Sequence, residues 1–432
     1  SQHRCAPSQE RSSVMANDSV ISVRELVARR KPGFSLEAPF YTSPEIFRTD
    51  MKEIFGRHWI YVGVEPDVAE EGDAMVVNIG SSSVIILRDD AGEVRAYHNV
   101  CRHRGARMIP EGKTIIGNIV CPYHSWTYDL DGNLKFAEHM APDFDRGCHG
   151  LKPVHLRSVG GLLFICLAEE APADIEDMAA IMEPYLAPHD IRNTRVAHQA
   201  DLIENGNWKL VMENNRECYH CGPNHPELTI PLFAYGFGFA PESLDEEGRS
   251  AAERYEQLRH ASCARWEAAG LPSAEVEHLA DRVTGVRTER LPIDRSGESQ
   301  TMDTRAACRL PVGTISDAAS GGLSFWTQPN SWHHFMGDHI VTFSAIPIDE
   351  GHTLVRTKWL VNKDAVEGVD YDLAKLTDVW NATNQQDADL VGIAQEGAMD
   401  PAYQPGPYSP YTEGLVEKFI TWYLSRVSQG AE

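Results

Sequence analysis

Two short histidine-bearing motifs carry the chemistry most plainly legible in the chain. Cys101-x-His103 is followed, after seventeen residues, by Cys121-x-x-His124. Each loop would therefore supply one thiolate and one imidazole. Two Cys on one iron and two neutral His on the other form the donor set of a [2Fe-2S] cluster whose potential lies above that of an all-cysteine cluster. Zinc also accepts Cys2His2, but zinc modules pair Cys with Cys and His with His at close spacing, so a zinc site is the rival reading. Gly105 and Pro122 suit tight loops, and Arg102, Arg104 and Arg107 would offset the charge of a reduced cluster.

The second motif is Glu217-x-x-His220-x-x-x-x-His225. The pattern predicts a helix from Trp208 to Cys221 with Glu217 and His220 on one face, ended by Gly222-Pro223 so that His225 swings back from the following turn. Two converging imidazoles are the start of a 2-His-1-carboxylate triad, which leaves positions open on a non-haem ferrous ion. Asp387 is the preferred carboxylate, on a helical face shared with Trp380, Asn384 and Val391; Asp389 is the alternative. Cys218 and Cys221 read as packing residues beside this motif rather than as a redox or zinc pair. His139, His149, His155, His189 and His198 receive no role.

The elements that must position these residues fall into distinct stretches. Residues 1–20 are polar and aperiodic, and read as a disordered or added segment. Residues 21–61 read as a leader helix, with Ile46, Phe47, Met51, Ile54 and Phe55 near helical spacing, entering a strand. Residues 62–170 alternate as short strands with turn signals such as Asp131-Gly132, a small antiparallel β domain that would hold the cluster. Residues 171–432 read as mixed α and β: helices at 174–186, 207–221, 245–269, 371–398 and 412–427, and strands at 196–203, 323–327, 339–347 and 353–361. A length of 432 residues accommodates two cores. With 63 acidic against 39 basic side chains, net −24, and no basic stripe, a nucleic-acid partner is not expected. No membrane-length apolar run is present, and nine Cys are too few for a disulfide scaffold, which fits a reducing, cytoplasmic setting.

In this order, the two motifs resemble those of the α subunits of Rieske non-haem iron oxygenases, over residues 35 to 428. Within that family the nearest likeness is to glycine betaine and stachydrine (proline betaine) demethylases, through FYTSPEIFRTDMKEIFGRHWIYV, HNVCRHRGAR, NWKLVMENNRECYHC, DAVEGVDYD and AYQPGPYS. The resemblance implies an α+β architecture: a Rieske β domain inserted in a helix-grip-like catalytic domain with an antiparallel sheet, assembled as a homotrimer or a trimer-based oligomer. It implies that Cys101, His103, Cys121 and His124 bind the cluster and that His220, His225 and Asp387 bind mononuclear Fe(II). Glu217 would bridge the two centres across a subunit boundary. It departs from the Asp usual in aromatic-ring dioxygenases and agrees with the quaternary-amine branch. The implied activity is O2-dependent N-demethylation of a betaine with release of formaldehyde, driven by NAD(P)H through a separate flavin/ferredoxin-type reductase. A quaternary ammonium offers no N–H, so its recognition needs aromatic faces. Phe325, Trp326, Trp332, Phe335 and Phe343 are the candidates. The rival expectations are oxidation of an uncharged aromatic substrate and a pure electron carrier with one metal site.

Overall fold

The computed structural model describes residues 22–430; the expectation for residues 1–20 lies outside that range. The leader is a broken helical run, Pro39–Thr42, Pro44–Asp50 and Met51–Phe55, which leads into the strand Ile60–Val64. That strand pairs antiparallel with Leu162–Cys166, Ile60 opposite Ile165. The pairing draws together the two ends of the stretch between them. Within the stretch lie a four-stranded sheet, built on Asp73–Ile79 and Ser82–Arg88, and a three-stranded sheet of Ile119–Val120, Thr127–Tyr128 and Leu134–Phe136. A separate core of Val76, Ile85, Tyr97, Trp126 and Leu134 fills this part and encloses Cys101 and Cys121.

The C-terminal part is a seven-stranded antiparallel sheet. Thr194–Glu204 pairs with His352–Asn362, and the order continues through Ile340–Asp349, Ser331–Phe335, Gly322–Thr327, Val286–Leu291 and Val276–His278. The strands at 276–278, 286–291 and 331–335 are not among the sequence expectations; SWHHF and VRTERL carry charges and His at positions where a strand pattern wants alternation. One face packs Phe325 and Phe335 against Phe164, Leu162 and Met178, in a core shared with the strand pair that closes the β domain. The other face packs Trp332, Val341, Phe343 and Trp359 against Trp380 and Val391 of the long helix Leu373–Met399. Alternation along each strand sends neighbours to opposite faces. Among the described residues no helix is long and apolar enough to cross a membrane.

The helix Trp208–Asn215 is shorter than the expected 208–221. Asn214 and Asn215 are weak helix formers, and Arg216 leaves the helix to bond Thr327 O, the Gln328 amide oxygen and Ser331 O at 3.0–3.2 Å. Its first turn is anchored by a fully buried ion pair between Lys209 and Asp50. Asp50 also accepts Trp208 Nε1–H at 3.0 Å and the Tyr423 hydroxyl at 2.6 Å, tying leader, site helix and C-terminal helix together. Removing one partner of such a pair strands the other charge in a low-dielectric interior. Asp50→Ala is therefore expected to lose about 3–5 kcal/mol of stability, measured by denaturant unfolding; a wild-type midpoint would reject this anchoring role.

Candidate functional site

After Asn215 the chain makes a turn instead of continuing as helix, so Glu217 and His220 meet by turn geometry and not by a shared helical face. The Glu217 carboxylate accepts the backbone N–H groups of Tyr219 and His220, capping the turn. Its other oxygen accepts His220 Nδ1–H at 2.5 Å. Gly222-Pro223 does not end a helix here but lies inside the single turn Cys221–Asn224. Proline is tolerated there because first-turn N–H groups have no helical acceptor. The same turn brings the Cys218 and Cys221 Cα atoms to 4.9 Å and joins their sulfurs in a disulfide, which corrects the reading of the two as mere packing residues.

His225, His220 and Asp387 converge. Asp387 Oδ1 lies 3.3 Å from His220 Nε2 and 3.1 Å from His225 Nε2. Asp387 projects from the long helix on one face with Trp380 and Thr383, both of which border the same cavity. Asp389 is exposed and accepts from Gln385 at 3.0 Å, so the alternative carboxylate is turned away. Sequence reasoning missed two supporting groups: Gln386, whose Oε1 accepts His225 Nδ1–H at 2.8 Å, and Asn214, whose Nδ2–H donates to Asp387 Oδ1 at 3.0 Å. The only hint in the sequence was position, beside Asp387 in NQQDAD and at the end of the helix just before Glu217.

The donor set fits one divalent ion. Both imidazoles give Nδ1–H to a fixed acceptor, which leaves each Nε2 with its lone pair toward Asp387. His225 Nε2 is buried and makes no well-aligned hydrogen bond despite its nearness to the carboxylate. Two ligand atoms about 2.1 Å from one ion and at right angles stand about 3 Å apart, close to the separations here. The electrostatics agree. Burial lowers the affinity of His220 for a proton, yet hydrogen bonds to Asp387 and Glu217 outweigh it and raise its pKa to about 9. Burial likewise opposes, and Asp387 and Gln386 drive, an upward shift at His225. Burial opposes, and the two His drive, a downward shift at Asp387. The same negative field that favours protons on the imidazoles favours a cation, which would displace those protons on binding.

The cluster loops meet as their spacing requires. Cys101 and Cys121 are buried; His103 and His124 are exposed, with their Nδ1 atoms 3.2 Å apart. Gly105 holds φ +78° and Ser125 φ +58°, the left-handed positions that fold each loop tightly. His103 stacks on Trp126 at 4.8 Å and His124 on Tyr123 at 3.9 Å, which fixes both rings. Burial, and then the neighbouring Cys101 sulfur, push the Cys121 thiol up. Two adjacent buried sulfurs, beside two imidazoles whose Nδ1 atoms lie together, fit a cluster. Arg102 and Arg107 donate to the carbonyls of Gly150 and Ser81, so they brace the loops as well as carrying charge.

A cavity of about 710 Å³ opens from His220, His225 and Asp387 toward the sheet. None of its walls comes from the cluster loops. Of the five aromatic candidates only Trp326 borders it. Phe325 and Phe335 point to the opposite face of the sheet, into the second core. Trp332 and Phe343 share the cavity side but stack on each other at 5.1 Å beneath Trp380. Trp326 itself packs against two of the protein's own guanidiniums, Arg216 at 5.1 Å and Arg287 at 4.8 Å from its ring centre. Phe233, Tyr255 and Trp380 are among the cavity aromatics outside that set of candidates. They come from a loop and two helices, not from an aromatic strand.

Residues 58–156 match the Rieske [2Fe-2S] domain, and residues 191–429 match the ring hydroxylating alpha subunit catalytic domain. The chain is 43% identical to the glycine betaine monooxygenase oxygenase subunit of Chromohalobacter salexigens, over 94% of this chain and 90% of the relative. It is 42% identical to that of Pseudomonas aeruginosa, over 93% and 91%. In fold it is similar to the crystal structure of a quaternary ammonium Rieske monooxygenase, with TM-score 0.69 and 21% identity over 93% of this chain and 98% of that one. The chain belongs to the Rieske non-haem iron oxygenase α subunits, in the branch that contains the glycine betaine monooxygenase oxygenase subunits. Its resident cofactors are a Rieske [2Fe-2S] cluster and a mononuclear non-haem iron.

Groups that hold a ligand imidazole's second nitrogen typically govern metal affinity by 10- to 100-fold. Gln386→Leu is expected to weaken retention of the mononuclear iron by about 10-fold or more while the visible absorption of the cluster persists. Metal analysis after graded chelation tests this, and wild-type retention would remove Gln386 from the site.

Proposed function

We propose that this chain is the oxygenase component of a betaine N-demethylase: it converts a glycine betaine- or proline betaine-type quaternary ammonium to the tertiary amine and formaldehyde. The observation that carries the reading is the joining of the convergent His220, His225 and Asp387 to a cavity, in a chain 43% identical to glycine betaine monooxygenase oxygenase subunits. In this reading Cys101, His103, Cys121 and His124 hold the cluster, and His220, His225 and Asp387 hold the iron. When bound, these groups supply stored electrons and activation of O2.

The protein's own part is positioning. Glu217 and Gln386 hold the two imidazoles in the tautomer that presents Nε2. The cavity wall excludes bulk water and orients one N-methyl toward the metal pocket. In balance, the N-methyl ammonium, O2, two electrons and two protons give the N-hydroxymethyl ammonium and one water. The C–N bond of that carbinolamine then breaks: its hydroxyl proton is lost, the carbon leaves as formaldehyde, and nitrogen keeps the electron pair. Electrons come from NAD(P)H through a separate reductase, which assigns the enzyme to the cytoplasm, where that reductant is regenerated.

Glu217 is the proposed link between centres in a homotrimer. It already accepts from His220, and His124 is exposed on its loop, open to a carboxylate of a neighbouring copy. The test is formaldehyde release from glycine betaine, proline betaine and carnitine with a surrogate reductase. The expected result is stoichiometric formaldehyde from at least one of them in wild type, and near-complete loss in Glu217→Gln with both metals retained. A cis-diol from an aromatic substrate with no formaldehyde from any betaine would replace this reading by ring oxidation; wild-type turnover in Glu217→Gln would reject the link.

A further inference from the structure

The cavity wall contains an imidazole that the reaction outlined above does not use. His334 projects from Ser331–Phe335 into the row formed by its cross-strand neighbour Ser324 and, beyond it, Glu289, and all three border the cavity. Its ring stacks on Trp380, with centres 4.5 Å apart and planes at 24°. Burial, reinforced by the nearby His339, lowers its pKa to about 3, so the ring is neutral and keeps one N–H to give. No hydrogen bond reaches either ring nitrogen among the described residues, and neither nitrogen is sealed inside the protein.

Neighbouring buried histidines each have one ring nitrogen partnered and the other sealed inside the protein. His333 meets Ser331 Oγ at 3.1 Å, His339 meets Asp338 at 2.9 Å, and His189 meets Arg290 at 3.2 Å. A polar group left unpaired in a native wall asks for a partner that the folded chain lacks. The cavity's cations are already committed. Arg287 is held by Glu275 and Glu289, Arg259 by Glu256 and Lys418 by Glu277. Arg216 borders the cavity but is buried, with its Nη2 group engaged by carbonyl and amide oxygens. An anionic end of a substrate would therefore find an open donor at His334.

Building on the betaine reading, we propose that His334 donates a hydrogen bond to the substrate carboxylate, and so selects quaternary ammonium compounds that carry one while directing an N-methyl toward His220, His225 and Asp387. The dimensions suit a short zwitterion. Trp380 precedes Asp387 by seven residues of the same helix, a rise of about 10 Å. In a betaine the methyl carbon and a carboxylate oxygen are four bonds apart, roughly 4–5 Å, and van der Waals gaps at each end fill the remainder.

The test uses the metal-loaded full chain as wild type, His334→Gln and His334→Leu. Gln keeps a donor and Leu does not, at similar volume, so any shared packing defect cancels in the comparison. Glycine betaine is compared with choline, in which a hydroxymethyl group replaces the carboxylate. Formaldehyde kinetics give kcat/KM, and anaerobic calorimetry gives binding without turnover. Loss of a hydrogen bond to a charged group predicts that Leu lowers betaine affinity and the betaine-to-choline ratio about 10- to 100-fold relative to Gln. Equal ratios in Gln and Leu would overturn the proposal. Absence of formaldehyde from wild type with glycine betaine, proline betaine and carnitine alike would sink the demethylase reading alone, because the calorimetric ratio still decides whether His334 reads the carboxylate.

Discussion

The constraint on which the molecule depends is that three side chains from two separate segments must bring lone pairs to one point inside the protein. Asp387 comes from the long helix across the sheet; His220 and His225 come from a turn about 165 residues earlier. Left alone, two imidazoles and a carboxylate at about 3 Å would settle as a protonated ion cluster, and the raised His and lowered Asp affinities express that tendency. What would make such an ion cluster a metal site is the fixing of Nδ1 by Glu217 and Gln386, since an imidazole that donates from one nitrogen offers the other as a base.

Much of the remaining architecture serves that convergence. The Asp50–Lys209 pair and the hydrogen bonds from Trp208 and Tyr423 hold the base of the site helix against both ends of the chain. Arg216 ends that helix by reaching the hairpin after Gly322–Thr327, which sets where the turn carrying Glu217 begins. The sheet's apolar inner face fixes the long helix through Phe343 and Trp359, and with it the height of Asp387 above the sheet. A buried ion pair is weak evidence for net stability. Here its value lies in register, because a helix that slid by one residue would carry both imidazoles out of reach.

The proposed ligand residues were legible because metal chemistry constrains types and spacing together. Cys-x-His with Cys-x-x-His, and Glu-x-x-His with a second His, leave few alternatives, and the helical face of Trp380 and Val391 singled out Asp387 over Asp389. Long periodic elements, such as Glu246–Ala268 and Leu373–Met399, fell within two residues of expectation. What was lost depended on tertiary contacts. The site helix was drawn too long because the pull of Arg216 toward a distant hairpin leaves no local trace. The aromatic wall was misplaced because a strand's alternation does not say which face meets a cavity, and a helix covering Trp332 and Phe343 cannot be foreseen from their own segment. Gln386 and Asn214 are polar residues of ordinary type, meaningful only for what they touch.

The central claim is that Asp387 completes a three-residue iron site distinct from the cluster. Iron content and cluster absorption, measured side by side in wild type and Asp387→Ala, address it most directly. The account predicts that the variant loses the single iron that wild type holds beyond the pair in the cluster, with an unaltered cluster spectrum. Full iron content in the variant, or a collapse of the cluster spectrum along with the loss, would contradict it.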